Sequence, residues 1–359
     1  MARLLPVFAV LVFAAGLGLT IAVAGDTLGY DFHAYHAAVL RLLAGQPPYD
    51  LNYDIAGPYG LFLYPPTFIP LVLPWGLLPA DVATWTWTAG LIATFATGVA
   101  VLPVRRSVQW WTVLLAGLSW PFVYAVKLGQ VGPLLFLLFA VGWRWMGRGP
   151  VLGATGALGA AIKIQPGLIL AWALLTRRWT AVLWGALVLV ALAVLATLVA
   201  GIGAWGDFLV LIGRVSDPIT TPHNFTPGAV AYQMGVPRDT AALIQWTSMA
   251  AAATVVVVTA LRMGAVPSYL VAVIASQLLS PILWDHYALL LLLPVAWMLD
   301  RGHWWAAVFV LVTPVLAVGQ LPPWVYPVAF WACLVAVVVT GLPRSRVASG
   351  SAAPGVVGP

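Results

Sequence analysis

Long apolar runs, every second one closed by one or two arginines, recur along the whole sequence, and this pattern leaves few folds open. A bilayer-spanning helix needs about 20 such residues. Hydrophobic residues fill 62% of the 359 positions and charged residues 7%, against about 25% charge in a soluble domain. Backbone groups in hydrocarbon must be satisfied within their own segment, so runs of this kind are read as helices. The expectation is an all-α polytopic membrane protein, its core buried mostly against lipid and neighbouring helices. The net charge of +6 comes from 14 Arg and two Lys scattered at the ends of the runs, where they specify topology. No nucleic-acid partner is expected from it. The single Cys333 lies in an apolar run, which excludes a disulfide and a cysteine metal site. The 19 Trp suit interfacial belts, and some of them a sugar site.

Hydropathy and the basic residues together place twelve spans with both termini in the cytoplasm. Arg3 and the run 4–24 resemble a signal peptide ending at Ala22-Val23-Ala24, but the length suits an uncleaved first span. The remaining spans are expected at 82–104, 108–126, 131–146, 150–162, 166–176, 180–200, 240–261, 266–282, 288–299, 304–319 and 325–341. Outer loops at 25–60 and 201–238 flank them, with a short interfacial helix over 31–44 ending at Gly45. The proline-rich stretch 61–79 is read as re-entrant or juxtamembrane, because a full span there would place Arg105 and Arg106 outside. The runs 150–162 and 166–176 are too short for straight spans, so a break is expected at Pro166-Gly167. Irregular backbone at that depth is tolerated where protein buries it or it lines a wet cavity. A single domain over 1–343 and a disordered cytoplasmic tail over 344–359 complete the expected organisation.

The acids sort against the arginines. All ten are Asp, and nine of them fall on the outer side of this topology, Asp300 being the exception. Both lysines and four of the five histidines join them there. An outward-facing polar site is the consequence. Its densest stretch is Gly29-Tyr30-Asp31-Phe32-His33-Ala34-Tyr35-His36-Ala37-Ala38, directly after the first apolar run. Asp31 suits a general base in a partly apolar setting; it equally suits an N-cap of the interfacial helix. At helical spacing Asp31, Tyr35 and Ala38 share one face. Asp26 is the weaker alternative acid. His33 and His36 have the spacing of a helical metal pair, but with no third ligand nearby they fit interfacial or substrate hydrogen bonding better, and no metal is required.

Lys127 and Lys163 each close a short hairpin on the outer side, each followed by a glutamine, Gln130 and Gln165. Lys binds phosphate as a point charge, or snorkels to lipid headgroups. Trp284-Asp285-His286-Tyr287 gathers an indole, an acid and an imidazole at another outer edge. His286 suits a phosphate or sugar hydroxyl, and Asp285 would fix its tautomer or be solvated. Trp284 and Tyr287 alone read as belt residues. The sequence has no phosphate-binding glycine loop, no dinucleotide fingerprint and no nucleophile–His–Asp set, so no cofactor is expected. With no soluble domain to hold a nucleotide sugar, an outward-facing transferase would need a donor already in the membrane. A non-catalytic transporter with a midplane site is the rival class.

Five stretches resemble membrane glycosyltransferases of family 87, with the GT-C architecture. They are Asp31 with Tyr35, Ala38, Gly45 and Tyr49; Tyr64-Pro65-Pro66 with Pro74; Lys127-Leu128-Gly129-Gln130; Lys163-Ile164-Gln165-Pro166; and Ser280-Pro281-Ile282-Leu283-Trp284-Asp285-His286. That family includes bacterial polyprenyl-phosphate-mannose-dependent mannosyltransferases that build phosphatidylinositol mannosides and lipoglycans. The resemblance implies a multi-pass plasma-membrane enzyme of cell-envelope biogenesis with an extracytoplasmic site. It implies Asp31 as catalytic base and Lys127, Lys163 and His286 as ligands of the donor's lipid phosphate. Tyr35, His36, Tyr64, Gln130, Gln165, Trp284 and Asp285 are the expected substrate-binding residues. The implied partners are a polyprenyl-phosphate sugar, mannose or alternatively arabinofuranose, a membrane glycolipid acceptor and the bilayer. The chain departs from the pattern in a trimmed C-terminal part, which leaves the acceptor open.

Overall fold

The computed structural model describes residues 4–52, 60–215, 217–314 and 321–342. Among them the chain forms seventeen α-helices joined by short 3-10 turns. Among the described residues the only β pairing is an isolated bridge between Ser119 and Pro314. The all-α expectation holds. Twelve full spans are not reached. Three segments are long and apolar enough to cross a bilayer: Leu5–Thr27, Trp179–Ala200 and Arg238–Arg262. A fourth counts if Trp120–Leu128 and Gly132–Arg144, bent by 118° to one another, are taken as one broken span.

The shortfall has a local cause. Proline opens many of these helices, as at Pro121, Pro133 and Pro150, where its fixed φ suits the first turn and its missing N–H costs nothing. The start at Pro121 interrupts a run that hydropathy counts as continuous. The run 108–126 is cut at Ser119 into Arg106–Leu118 and Trp120–Leu128. The run 288–299 begins as a 3-10 turn, Asp285–Leu291, and continues as Leu292–Asp300. Residues 66–77 form a short helical stretch, the α-helix Ile69–Val72 between two 3-10 turns, too short for a full span. The interfacial helix is Tyr30–Leu43. Arg3, Arg344, Arg346, the end of the run 304–319 and the tail 344–359 lie outside the described residues.

Burial separates inner from outer helices. Ala265–Leu278 is buried on nearly every face, as a helix at the centre of a bundle must be. Trp179–Ala200 buries little beyond Ala181, Gly185 and Ala196, leaving Leu183, Leu187, Val190 and Leu198 exposed, as lipid contact requires. Where helices meet closely, small residues face one another: a Cβ on Gly16 would strike the Gly117 carbonyl. Asp300, the one acid among the arginines, binds the Arg105 guanidinium at 2.9 Å and its backbone N–H at 2.9 Å.

Candidate active site

Three interruptions of the helical pattern converge on Asp31. The first is the elbow at Gly129. The Trp120–Leu128 helix ends with Gly129 at φ +72°, its N–H bonded to the Val126 carbonyl (3.1 Å) and the Gln130 N–H to the Ala125 carbonyl (2.8 Å). This is the Schellman closure, which left-handed glycine permits. It fixes Gln130 just beyond the helix end. Gly29, at φ +76°, opens the Tyr30–Leu43 helix and donates its N–H to the Lys127 carbonyl at 2.7 Å. The two glycines touch: a Cβ on Gly129 would lie 2.7 Å from Phe32 Cβ and 3.3 Å from Gly29 Cα. Only this approach brings the Gln130 amide to Asp31, 2.5 Å from Nε2 to Oδ2. Asp31 is therefore in the first helical turn and not at the N-cap, which Gly29 occupies.

Gln130 is a hub, and its side chain is buried. Its Oε1 accepts from the Tyr64 hydroxyl (2.8 Å) and from Lys163 Nζ (3.3 Å). Tyr64 in turn accepts from the Tyr35 hydroxyl at 2.7 Å. The extended stretch carrying Tyr64 is held by Tyr49, whose hydroxyl donates to the Tyr64 carbonyl at 2.7 Å, and by Thr67, bonded to the Ala161 carbonyl at 2.7 Å. The second interruption, after the Gly149–Ile162 helix, supplies Lys163. Its ammonium donates to the Tyr287 hydroxyl at 2.9 Å and lies 4.2 Å from that ring centroid.

The third interruption precedes the Asp285–Leu291 turn. Asp285 accepts from Trp120 Nε1 (2.9 Å) and from the His286 N–H (2.8 Å). His286 is 4% exposed, and neither ring nitrogen has a hydrogen-bond partner among the described residues. Nδ1 has the Asp285 carboxylate at 3.5 Å, whereas a buried Nε2 without a partner costs free energy unless something arrives to bind it.

Asp31 keeps part of its surface exposed. Burial raises its carboxyl above the ordinary carboxylate value, opposed by the charge of His286, the Gln130 hydrogen bond and the charges of Lys163 and Lys127. Burial brings the Lys163 ammonium down to about 7, against the pull of Asp31. Lys127 is half-buried, 5.8 Å from the Tyr124 ring centroid. One carboxylate thus faces two lysines and a histidine. Such an arrangement combines a proton acceptor with preorganised stabilisation of an anionic leaving group.

Seven further positions singled out in the sequence divide. Tyr35, Tyr64 and Gln130 join the Asp31 network directly. Asp285 stands beside His286, its Oδ1 3.5 Å from Nδ1. Trp284 is half-buried at the start of the same turn. Gln165 donates to Ser280 Oγ at 2.8 Å, tying two loops together outside the network. His36 faces elsewhere, its Nε2 3.4 Å from the Leu78 carbonyl. Asp26 is exposed. Tyr287, taken from the sequence as a belt residue, is the partner of Lys163. Its place directly after His286 was the available signal. Asn224 gave none. Its fully buried amide donates to the Pro218 (2.6 Å) and Pro281 (3.1 Å) carbonyls and accepts from the Thr226 (3.1 Å) and Leu283 (2.9 Å) N–H groups. It thereby fixes the strand-like segment that delivers Asp285 and His286.

Comparison with known proteins finds a matching family and a similar protein. The family model described as Glycosyltransferase family 87 matches residues 62–283, more than half of the chain. The match includes Tyr64, Lys127, Gln130 and Lys163 and stops short of Asp31 and His286. The chain is 28% identical over 384 aligned residues to the polyprenol-phosphate-mannose-dependent alpha-(1-2)-phosphatidylinositol pentamannoside mannosyltransferase of Mycolicibacterium smegmatis (strain ATCC 700084 / mc(2)155). That alignment covers 94% of this chain and 89% of the relative. No solved structure matches the chain.

Proposed function

The chain belongs to glycosyltransferase family 87, and from that premise we propose that it transfers mannose from a polyprenyl-phosphate donor to a phosphatidylinositol-mannoside-type glycolipid. The observation that carries the reading is the single Asp31 carboxylate, held by Gln130 and facing Lys127, Lys163 and His286. Transfer proceeds by single displacement with inversion. Asp31 accepts the proton of an acceptor hydroxyl as its oxygen attacks the anomeric carbon. The bond from that carbon to the donor phosphate oxygen breaks, and the phosphate departs with its electron pair. Lys127, Lys163 and His286 stabilise the departing charge. Asp285 orients the His286 imidazole, and Tyr287 holds Lys163. Gln130 orients Asp31, with Tyr64 and Tyr35 fixing Gln130 from behind.

The finer architecture belongs to the same proposal. The short apolar helices complete a GT-C-like bundle of about twelve crossings, one domain over 1–343, with the site on the extracytoplasmic face of the plasma membrane. The opposite sorting of arginines and acids supports that sidedness. The test is Asp31→Asn, assayed with polyprenyl-phosphate mannose and phosphatidylinositol mannosides. General-base catalysis is worth about 10²–10⁴-fold, and transfer should fall by that much while donor binding persists. A well-folded variant with near wild-type turnover removes Asp31 as the base.

A further inference from the structure

Asp31 divides two different surroundings. On one side stand the cations assigned above to the donor phosphate. On the other a cavity of about 180 Å³ runs along the Tyr30–Leu43 helix, lined by Ala34, Ala37, Ala38, Arg41, Asp50 and Leu211 among others. Asp31, Ala34, Ala38 and Arg41 follow one another at the spacing of a single helix face. The face begins at the carboxylate and ends at Arg41, about 15 Å away at 1.5 Å per residue. Gly60 forms the join between cavity and carboxylate: a Cβ there would sit 3.5 Å from Asp31 Oδ1 and 3.4 Å from Tyr30 Cε1. Alanines keep the floor low. At the far end Arg41 Nη1 donates to Asp50 Oδ2 at 3.2 Å and Arg41 Nε to the Pro47 carbonyl at 2.9 Å.

We infer that this cavity is the acceptor subsite and takes a neutral sugar ring of the glycolipid, gripped at its far side by Arg41 and Asp50. The inference rests on the proposed transfer and deepens it. Its volume equals about six waters, which suits one ring rather than a long oligosaccharide. The ion pair makes its charge zero, so it gives no preference to a phosphate, unlike the side of Lys127 and Lys163. A carboxylate beside a guanidinium matches a pair of neighbouring hydroxyls: one donates to Asp50 while the other accepts from Arg41. One ring spans only part of the about 15 Å to Asp31, so a ring gripped at Arg41 and Asp50 leads the glycolipid past Gly60, where the next ring brings its reacting hydroxyl to Asp31.

The experiment uses the full chain in nanodiscs with two variants chosen to leave the fold intact. Asp50→Asn is isosteric and loosens an exposed pair of the kind that contributes little to stability. Ala37→Trp acts at an exposed position on the cavity rim. For each, acceptor and donor KM are measured separately, together with equilibrium binding of phosphatidylinositol mannoside. Both variants should weaken acceptor binding and raise acceptor KM by roughly tenfold, Asp50→Asn through the loss of one charge-assisted hydrogen bond and Ala37→Trp by filling the cavity, with donor KM unchanged. Folded variants whose acceptor KM and binding stay within about twofold, or whose donor KM rises instead, would overturn the subsite. The binding arm needs no turnover. If wild-type protein fails to use polyprenyl-phosphate mannose, the proposed function fails, while loss of acceptor binding in the variants still supports the cavity and unchanged binding still refutes it.

Discussion

Replacing Gln130 with leucine removes the hub of the site without changing its volume much. Three hydrogen bonds go: to Asp31 at 2.5 Å, from Tyr64 at 2.8 Å and from Lys163 at 3.3 Å. Their energetic weights differ. Asp31 and Lys163 are only half-buried and can turn toward water, whereas the Tyr64 hydroxyl is buried and keeps only Tyr35. A buried group stripped of its partner costs about 1–3 kcal/mol, so the whole change should lower unfolding stability by about 2–4 kcal/mol. Turnover should fall by roughly 10–10²-fold, part of the full general-base contribution, because the base is present but no longer held. The sign of the pH effect separates this from simple loosening. The Gln130 N–H favours the ionised carboxylate, and burial already holds Asp31 above its ordinary value. Without that hydrogen bond the carboxyl moves further up, and the acid limb of kcat shifts to higher pH. Gln130→Glu should shift it further still, since two adjacent carboxylates share a proton. The assay is kcat against pH with both substrates saturating, beside thermal unfolding of each variant. A folded Gln130→Leu protein with an unmoved acid limb and wild-type kcat would refute the positioning role. A change confined to KM would return Gln130 to the substrate-binding role its sequence position suggested.

The remaining predictions concern neighbouring parts. Asp31→Asn should match or exceed wild type in thermal stability at neutral pH: a carboxyl raised on folding contributes stability in full below its unfolded pKa and loses it as pH rises through the folded value. Lower stability at neutral pH would contradict that burial. Lys163, brought to about 7, is largely uncharged at pH 8, so donor binding there should take up a proton; calorimetry in two buffers of different ionisation heat reads this, and Lys163→Arg, always charged, should abolish it. Asn224→Leu should cost about 1–3 kcal/mol for each backbone group left bare and lower kcat through a displaced His286, with Asn224→Asp recovering part of both. In a Cys333→Ala background, impermeant thiol reagents added outside should label Asp50→Cys and Asp217→Cys and leave Arg106→Cys and Arg178→Cys untouched; the reverse pattern removes the outward-facing site.

What the sequence made legible follows from which signals are local. The run Lys127-Leu128-Gly129-Gln130 carries its own helix end in Gly129, so the emergence of Gln130 beyond that end was readable. Its meeting with Asp31, 99 positions away, was not. That depends on Gly29 lying against Gly129, a contact no local pattern encodes. His36 failed for a reason the sequence did contain. Five residues beyond Asp31 it is turned about 140° around the helix, and it meets the Leu78 carbonyl. The spacing that placed Tyr35 on the Asp31 face already argued against it. Hydropathy sums apolar residues and does not see where a helix breaks, so full-length helices at each of the twelve runs were not legible from it.

The same breaks that shorten the helices build the site. Gln130 and Lys163 stand where a helix stops, after Leu128 and after Ile162, and His286 at the start of the turn Asp285–Leu291 that follows a non-helical stretch. A broken helix leaves backbone groups without intrahelical partners, and hydrocarbon offers none. Such breaks are stable only where protein or water surrounds them, so they collect at one wet, protein-lined place. There the backbone groups are met by polar contacts such as Trp87 Nε1 on the Gly129 carbonyl (2.8 Å) and Asn224 on Pro281 and Leu283. Long unbroken helices such as Trp179–Ala200 have no such needs and stand at the periphery with exposed apolar faces. In a chain this short of charge, the interrupted helices mark the chemistry and the continuous ones mark the lipid.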